Sequence, residues 1–321
     1  MPEIAQSGRG RRATARRMPA GDKPAGSRRS DVLDRVGRAL PFLAPVHLLV
    51  LSVIVLPALY VGWLSLHAST FGQEPSYVGL ANYGKILSDP YFLRSLGNTL
   101  LIVVVAVHLE LAAGLGIALL FASGLPGGRF LLPAVLAPYA ISEVTAVAMW
   151  RFLFDLDVGP VTLAMQALSL PAIEWSVLPM HGLIIVGLLT IWLHLPFTFI
   201  ILYAARLGIP GELYEAARMD GATPAQAFRR ITLPLLAPAM LIALLFRYIF
   251  AFRLFSEVWL MTQGGPARST EVVAVYLYLE AFRYNAFGTA AATAWIMVVV
   301  SLLLGAGYIW LLRRQMVSDV R

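Results

Sequence analysis

Six apolar segments constrain this chain more than any other feature. They run over about residues 40–67, 94–122, 129–154, 179–207, 232–262 and 287–312. Each reaches the roughly 20 residues that an α-helix needs to cross a bilayer. Only helices and closed barrels satisfy their backbone groups inside lipid, so the expected fold is an all-α integral membrane protein with six transmembrane helices. Charged residues make up only 13% of the 321, about half the share usual in soluble domains. Pro57, Pro138 and Pro196 fall inside the segments, which membrane helices tolerate when neighbours satisfy the freed carbonyls. Pro196, in Trp192-Leu-His-Leu-Pro-Phe197, predicts a break in the fourth helix.

Basic residues set the expected orientation. Eighteen of the 25 fall on one side if the N-terminus is inside: ten in residues 1–38, then Arg129, Arg206, Arg218, Arg229, Arg230, Arg313, Arg314 and Arg321. The opposite connections hold only Lys85, Arg94, Arg268 and Arg283, and Arg151, Arg247 and Arg253 lie in or near spans. The excess of positive charge belongs on the cytoplasmic side. Both termini are therefore expected there, in a multi-pass protein of a bacterial plasma membrane. Residues 1–38 have no apolar period and read as a disordered basic tail lying on anionic lipid. Val32, Leu33, Val36 and Leu40 have the spacing of a short interfacial helix leading into the permease core at 39–315. An RNA-binding arm is the competing reading, but topology already requires these charges, so no nucleic-acid partner is expected.

The connection between the fourth and fifth segments, 211–234, encodes its own shape. Pro210 and Gly211 interrupt the preceding span, and residues 212–220 favour helix. Gly221 then supplies a terminus that tolerates left-handed backbone. Thr223-Pro224-Ala225-Gln226 combines an N-cap, a proline at N1 and a capping-box glutamine. The spacing predicts a cytoplasmic helix–turn–helix. Leu213, Ala216, Ala217 and Asp220 share one side of its first helix, where small alanines permit close approach by another protein.

Glu215-Ala216-Ala217, Gly221 and Ile231-Thr232-Leu233-Pro234, at their spacing, resemble the EAA loop of ABC-importer permeases. Val78-Gly-Leu-Ala-Asn-Tyr83 with Asn98-Thr99, and Leu260-Met-Thr-Gln-Gly-Gly-Pro266 with Thr270, resemble signatures of the carbohydrate-uptake branch, the maltose and trehalose type. The resemblance covers residues 40–315 and implies the type I ABC importer permease fold, with the loop as its coupling helix. It implies that Glu215, Ala216, Ala217, Asp220 and Gly221 meet an ATPase subunit. Its further implications are a second six-helix permease chain, two ATP-binding cassette subunits, an extracellular sugar-binding protein and a sugar substrate. ATP and magnesium would be held by the partner ATPase, with no cofactor in this chain.

Other chemistries find little support. The absence of cysteine removes disulfides and thiol catalysis. Gly79-Leu-Ala-Asn-Tyr-Gly84-Lys85 imitates a phosphate-binding loop, but Ile86 stands where Ser or Thr would hold magnesium. The five histidines show no metal-ligand spacing and no GxSxG elbow occurs, so neither an enzyme nor a metal site is expected.

Ionisable groups inside spans are costly and mark function. Arg247, Phe250, Leu254 and Glu257 follow one helical stripe, and Tyr139 and Glu143 share a face. His194 and Phe197 flank Pro196, and transporters place sites at such interrupted helices. These spans also line the sugar site in the resembling permeases, so the expected path residues are Tyr139, Glu143, His194, Phe197, Arg247, Leu254 and Glu257. Arg253 reads instead as half of a helix-tying ion pair, and Arg151 as snorkelling beside Asp155 and Asp157. His108 and Glu110 suit either the path or the partner permease. A disaccharide such as trehalose or maltose is the expected cargo, with a monosaccharide or a glycerol phosphate diester as alternatives. Proton-coupled secondary transport is the competing mechanism, but no internal repeat supports it.

Overall fold

The computed structural model describes residues 43–318, with backbone alone over 311–318. The tail assigned to 1–38, with its interfacial helix, lies outside the described residues. The described residues fall into two units, divided between Leu59 and Tyr60. Helix α1 (Leu43–Ser65) carries a π-helical turn at Leu51–Val55, and its apolar side chains are largely exposed. A small hairpin follows, β1 (His67–Ala68) antiparallel to β2 (Ser76–Tyr77), with His67 opposite Tyr77. Then come α2 (Ala81–Ser88), α3 (Pro90–Ala122) and α4 (Gly128–Leu136), which ends in a 3-10 turn at Ala137–Ala140. Next are α5 (Glu143–Leu153), α6 (Pro160–Ala167), α7 (Pro179–Leu207) and α8 (Gly211–Met219). The chain continues through α9 (Pro224–Ala251), α10 (Ser256–Met261), α11 (Val273–Tyr278) and α12 (Phe287–Ser318).

Among these, α1, α3, α7, α9 and α12 are each apolar and long enough to cross a bilayer unbroken. The α4–α5 pair, bent by 106°, brings the number to six when it is counted as one span. The sequence predicts one helix over 129–154, and Pro138 and Ser142 explain the difference. Pro138 withholds an N–H, the backbone tightens to 3-10, and Ile141 becomes extended (φ −89°, ψ 136°). Ser142 then caps a new helix, accepting the Thr145 N–H at 3.3 Å.

Two more expectations are corrected. Helix α7 runs through Pro196 without a break. The proline removes one backbone bond, and its buried position among packed neighbours holds the helix on either side. The fifth span, read as 232–262, ends at Ala251 and resumes at Ser256. Phe255 takes the non-helical angles φ −131°, ψ −59° between the two pieces.

Helices α3 and α7 pack together at the centre. Gly114 of α3 permits this: a Cβ there would lie 3.0 Å from Thr198 Cγ2 and 3.4 Å from the Phe199 nitrogen. Small residues that let backbones approach are the usual basis of helix association in lipid, where dispersion replaces water exclusion. Ile102, Ala106, Ile185 and Leu189 fill one part of the core, and Val107, Phe199, Leu202 and Leu244 another.

The two signature motifs outside the loop tie the chain together. Asn82 donates to the carbonyls of Ser65 (2.8 Å) and His67 (2.9 Å). Asn98 donates to those of Ser269 (2.8 Å) and Glu271 (2.9 Å), and the Thr99 hydroxyl accepts the Val273 N–H at 2.9 Å. Thr262 and Thr270 join hydroxyls at 2.8 Å around the Gly264-Gly265-Pro266 turn. These are buried amide and hydroxyl groups satisfying backbone that leaves the helices.

Candidate functional site

Where the α4–α5 span bends and α9 gives way to α10, a cavity of about 530 Å3 opens against α7. Tyr139, Glu143, His194, Phe197, Arg247, Leu254 and Glu257, the seven residues singled out in the sequence, all line it. The reason they meet differs in part from the one read in the sequence. Arg247 and Phe250 lie on α9, but the helix ends at Ala251. Leu254 and Glu257 therefore reach the cavity through the break, not along a continued stripe.

Part of the lining is aromatic. Tyr139 and Phe197 stack with centroids 6.4 Å apart and planes 26° apart, and Phe250 stands edge-on to Phe197 at 6.5 Å and 81°. Tyr139 is 57% exposed and Phe250 49%, so ring faces are open to a ligand. Other lining residues are polar. Glu143 begins α5, His194 lies on α7 and Glu257 is second in α10, and one donor atom from each lies within 4.8 Å of the others. His194 Nδ1 is 3.0 Å from the Thr190 carbonyl. A carbonyl only accepts, so Nδ1 carries the proton and Nε2 keeps its lone pair. Arg253 also lines the cavity, is exposed, and has no ion pair among the described residues. The helix-tying role expected of it is corrected, because it sits in the break after α9 and not on a helix face.

Arg247 takes the tying role. Its Nε lies 2.9 and 2.8 Å from the two Glu110 oxygens, and the Thr198 hydroxyl donates to Glu110 Oε1. Nη2 is 2.8 Å from Oε2, yet it points away from the hydrogen-bond direction. Glu110 thus pairs within its own chain. His108 is exposed, packed edge-on against Tyr248. Arg151 donates to the Leu260 carbonyl at 3.0 Å and pairs with neither Asp155 nor Asp157. Asp155 instead accepts the Asp157 and Val158 N–H groups at 3.0 Å, which hold its carboxyl below the usual range.

At the 211–234 loop, local chemistry forms the corner. Gly221 has φ +76°, and the Gly221 and Ala222 N–H groups close on the Arg218 (3.0 Å) and Ala217 (2.9 Å) carbonyls, both bonds of a Schellman cap. Thr223 and Gln226 form the expected capping box. Glu215, Ala216, Asp220 and Gly221 are exposed and Ala217 half-buried, so this face of α8 is not covered by its own chain. Tyr214, half-buried, anchors the helix. Its hydroxyl is 2.9 Å from Thr232 Oγ1, and Arg206 sits 4.4 Å from its ring centroid. Beyond the residues picked out in the sequence, the structure adds Tyr214, Thr190 and Thr198, and gives Phe250 of the helical stripe a ring contact with Phe197. Tyr214, Thr190 and Thr198 carry no local signal in the sequence, because their partners lie on other elements or, for the Thr190 hydroxyl, none is present among the described residues.

The family described as binding-protein-dependent transport system inner membrane component matches residues 25–317. The trehalose/maltose transport system permease protein MalF of Thermococcus litoralis is 32% identical over 262 residues, 81% of this chain and 88% of that one. The trehalose transport system permease protein SugA of Mycobacterium tuberculosis is 31% identical over 256 residues, 79% of this chain and 81% of that one. Among solved structures, a chain of a bacterial ABC transporter involved in import of the acidic polysaccharide alginate has a TM-score of 0.77 at 22% identity. The match covers 89% of this chain and 99% of that one, and it carries the fold alone.

Proposed function

The chain belongs to the family of binding-protein-dependent transport system inner-membrane components, and from that premise we propose that it forms half of the pore of an importer for an uncharged sugar. It is a transport subunit and not an enzyme; a separate ATPase hydrolyses ATP. The observation that carries the sugar reading is the cavity between α7, α9 and α10. Its lining combines stacked rings with carboxylates and an imidazole. Sugars present an apolar ring face and a rim of hydroxyls, and this combination suits both. Trehalose or maltose is the cargo we favour, consistent with the names of the two relatives.

In this reading both termini and α8 face the cytoplasm. The exposed face of α8 docks on an ATPase subunit through Glu215, Ala216, Ala217, Asp220 and Gly221. A second six-helix permease completes the pore, and an extracellular binding protein delivers sugar to it. ATP and magnesium are held by the ATPases. Closure of those subunits moves α8, and Tyr214 passes the movement to α7 through Arg206 and to α9 through Thr232. The test is gentle purification of the tagged chain from its native membrane, followed by uptake of radiolabelled trehalose and maltose into vesicles. Co-recovery of an ATPase, a second permease and ATP-dependent uptake is expected. Recovery of the chain alone, with uptake driven by a proton gradient and no ATP, would overturn the proposal.

A further inference from the structure

We propose that Glu143, His194 and Glu257 form a binding site for a divalent transition-metal ion, zinc or manganese, in the polar part of the cavity lining. The proposal goes beyond the transport reading and does not depend on it. Glu257 is 4% exposed, and no cationic side chain pairs with it among the described residues. Arg247 donates its Nε to Glu110 and forms its ion pair there, not with Glu257. A buried carboxylate keeps its charge only by pairing or by coordinating a metal ion, and otherwise takes up a proton; a second carboxylate beside it adds to the local demand for a cation.

The geometry meets the requirement. The three donor atoms lie within 4.8 Å of one another. The centre of a triangle of that side is at most about 2.8 Å from each corner. An inward shift of about 0.7 Å by each of the three donor atoms brings the contacts to the roughly 2.0–2.2 Å of metal–nitrogen and metal–carboxylate bonds. One imidazole with two carboxylates suits zinc or manganese better than calcium or magnesium, which prefer oxygen alone. His194 is oriented as metal-binding histidines are, its Nδ1–H donating to the Thr190 carbonyl and Nε2 left to ligate.

Thr190 gives an independent sign. Its hydroxyl is buried, 1% exposed, has no hydrogen-bond partner, and belongs to the lining of the same cavity. A water or hydroxyl bound to the ion would satisfy it. Three protein ligands leave a coordination position open, and the ion would clamp α5 and α10, the two helices that restart after breaks, to the unbroken α7. Positions 143, 194 and 257 come from three separate elements, so no sequence spacing could show the site.

The experiment uses the full chain in its assembled complex, purified on a tag without histidine and stripped with chelator. Titration with zinc and manganese chloride should show one equivalent bound per chain. Glu143→Gln, His194→Gln and Glu257→Gln should each weaken it at least tenfold, and Thr190→Val by less. His67→Gln and His181→Gln, outside the cavity, should leave it intact. Binding retained in the three ligand variants, or none in the unmodified chain, overturns the proposal. X-ray absorption of the unmodified complex loaded with one equivalent of cobalt gives a readout independent of variant folding. Imidazole and carboxylate scattering is expected, and a shell of water alone sinks the site. Neither measurement involves uptake, so the site and the sugar reading fail separately.

Discussion

Arg247 of α9 and Glu110 of α3 form an ion pair that solvent barely reaches, the two side chains being 2% and 0% exposed. Thr198 of α7 adds a hydroxyl to the same carboxylate, so one charge pair joins three helices beside the cavity. Removing one partner leaves the other buried and uncompensated, which costs about 3–5 kcal/mol. Glu110→Ala should therefore lower the melting temperature of the purified chain sharply. Glu110→Leu with Arg247→Met should recover most of it, because both charges leave together. Thermal unfolding in one detergent decides the matter, and a Glu110→Ala chain as stable as the parent would contradict this role.

How far the sequence could be read follows from the range of the forces involved. The spans were legible because their apolar length answers to lipid directly. The α8–α9 corner was legible because Gly221, Thr223, Pro224 and Gln226 fix their own backbone. The cavity residues were legible because an ionisable or aromatic side chain in a span needs a reason to be there. The break after Ala251 was not, since residues 252–255 hold neither Gly nor Pro and the turn depends on packing around α10. Pro196 misled in the other direction. Its local cost is one hydrogen bond, and the buried α3–α7 contact outweighs it. The partner of Glu110 lies 137 residues away, a distance no local pattern reports.

Phe197 touches the rings of both Tyr139 and Phe250. Each such contact is worth about 0.5–1.5 kcal/mol. Phe197→Ala should therefore reduce transport efficiency for a sugar cargo up to roughly tenfold, while Phe197→Tyr keeps most of it. Radiolabelled uptake at several sugar concentrations is the measurement. An equal loss in both variants would mean that the ring face is not what the cargo uses.

Glu280, in the turn Leu279–Arg283 between α11 and α12, is 9% exposed. Burial pushes its carboxyl above the usual range; Lys85 and Arg268 pull it down, while Asp89 and Glu271 push it further up. A carboxyl with a raised folded-state value favours the folded chain below its unfolded value of about 4.3. That contribution is lost as pH rises through the folded-state value. Glu280→Gln should thus melt higher than the parent at pH 7, with the advantage shrinking as pH falls toward about 4. A difference in melting temperature that does not change with pH would rule out titration of Glu280 as its source.

In the proposed docking of α8, Gly221 allows folding and coupling to be tested separately. A Cβ there would meet nothing within 4 Å, and the only strain is the left-handed φ of +76°. That conformation costs an ordinary residue roughly 1–2 kcal/mol and Asp less than most. Gly221→Asp should therefore insert and melt almost as the parent does. It nevertheless places a side chain and a charge on the exposed corner next to Ala216 and Ala217, where an ATPase would have to approach the backbone. Uptake should fall by far more than stability does. Tyr214→Phe supplies the contrast: it loses the bond to Thr232, about 0.5–1.5 kcal/mol, and keeps the ring under Arg206. Its outward face is unchanged, so ATPase binding should survive while ATP-driven uptake is weakened. Pull-down of the ATPase and vesicle uptake, run on both variants, separate docking from transmission. Normal uptake by Gly221→Asp would remove the α8 corner from the coupling mechanism.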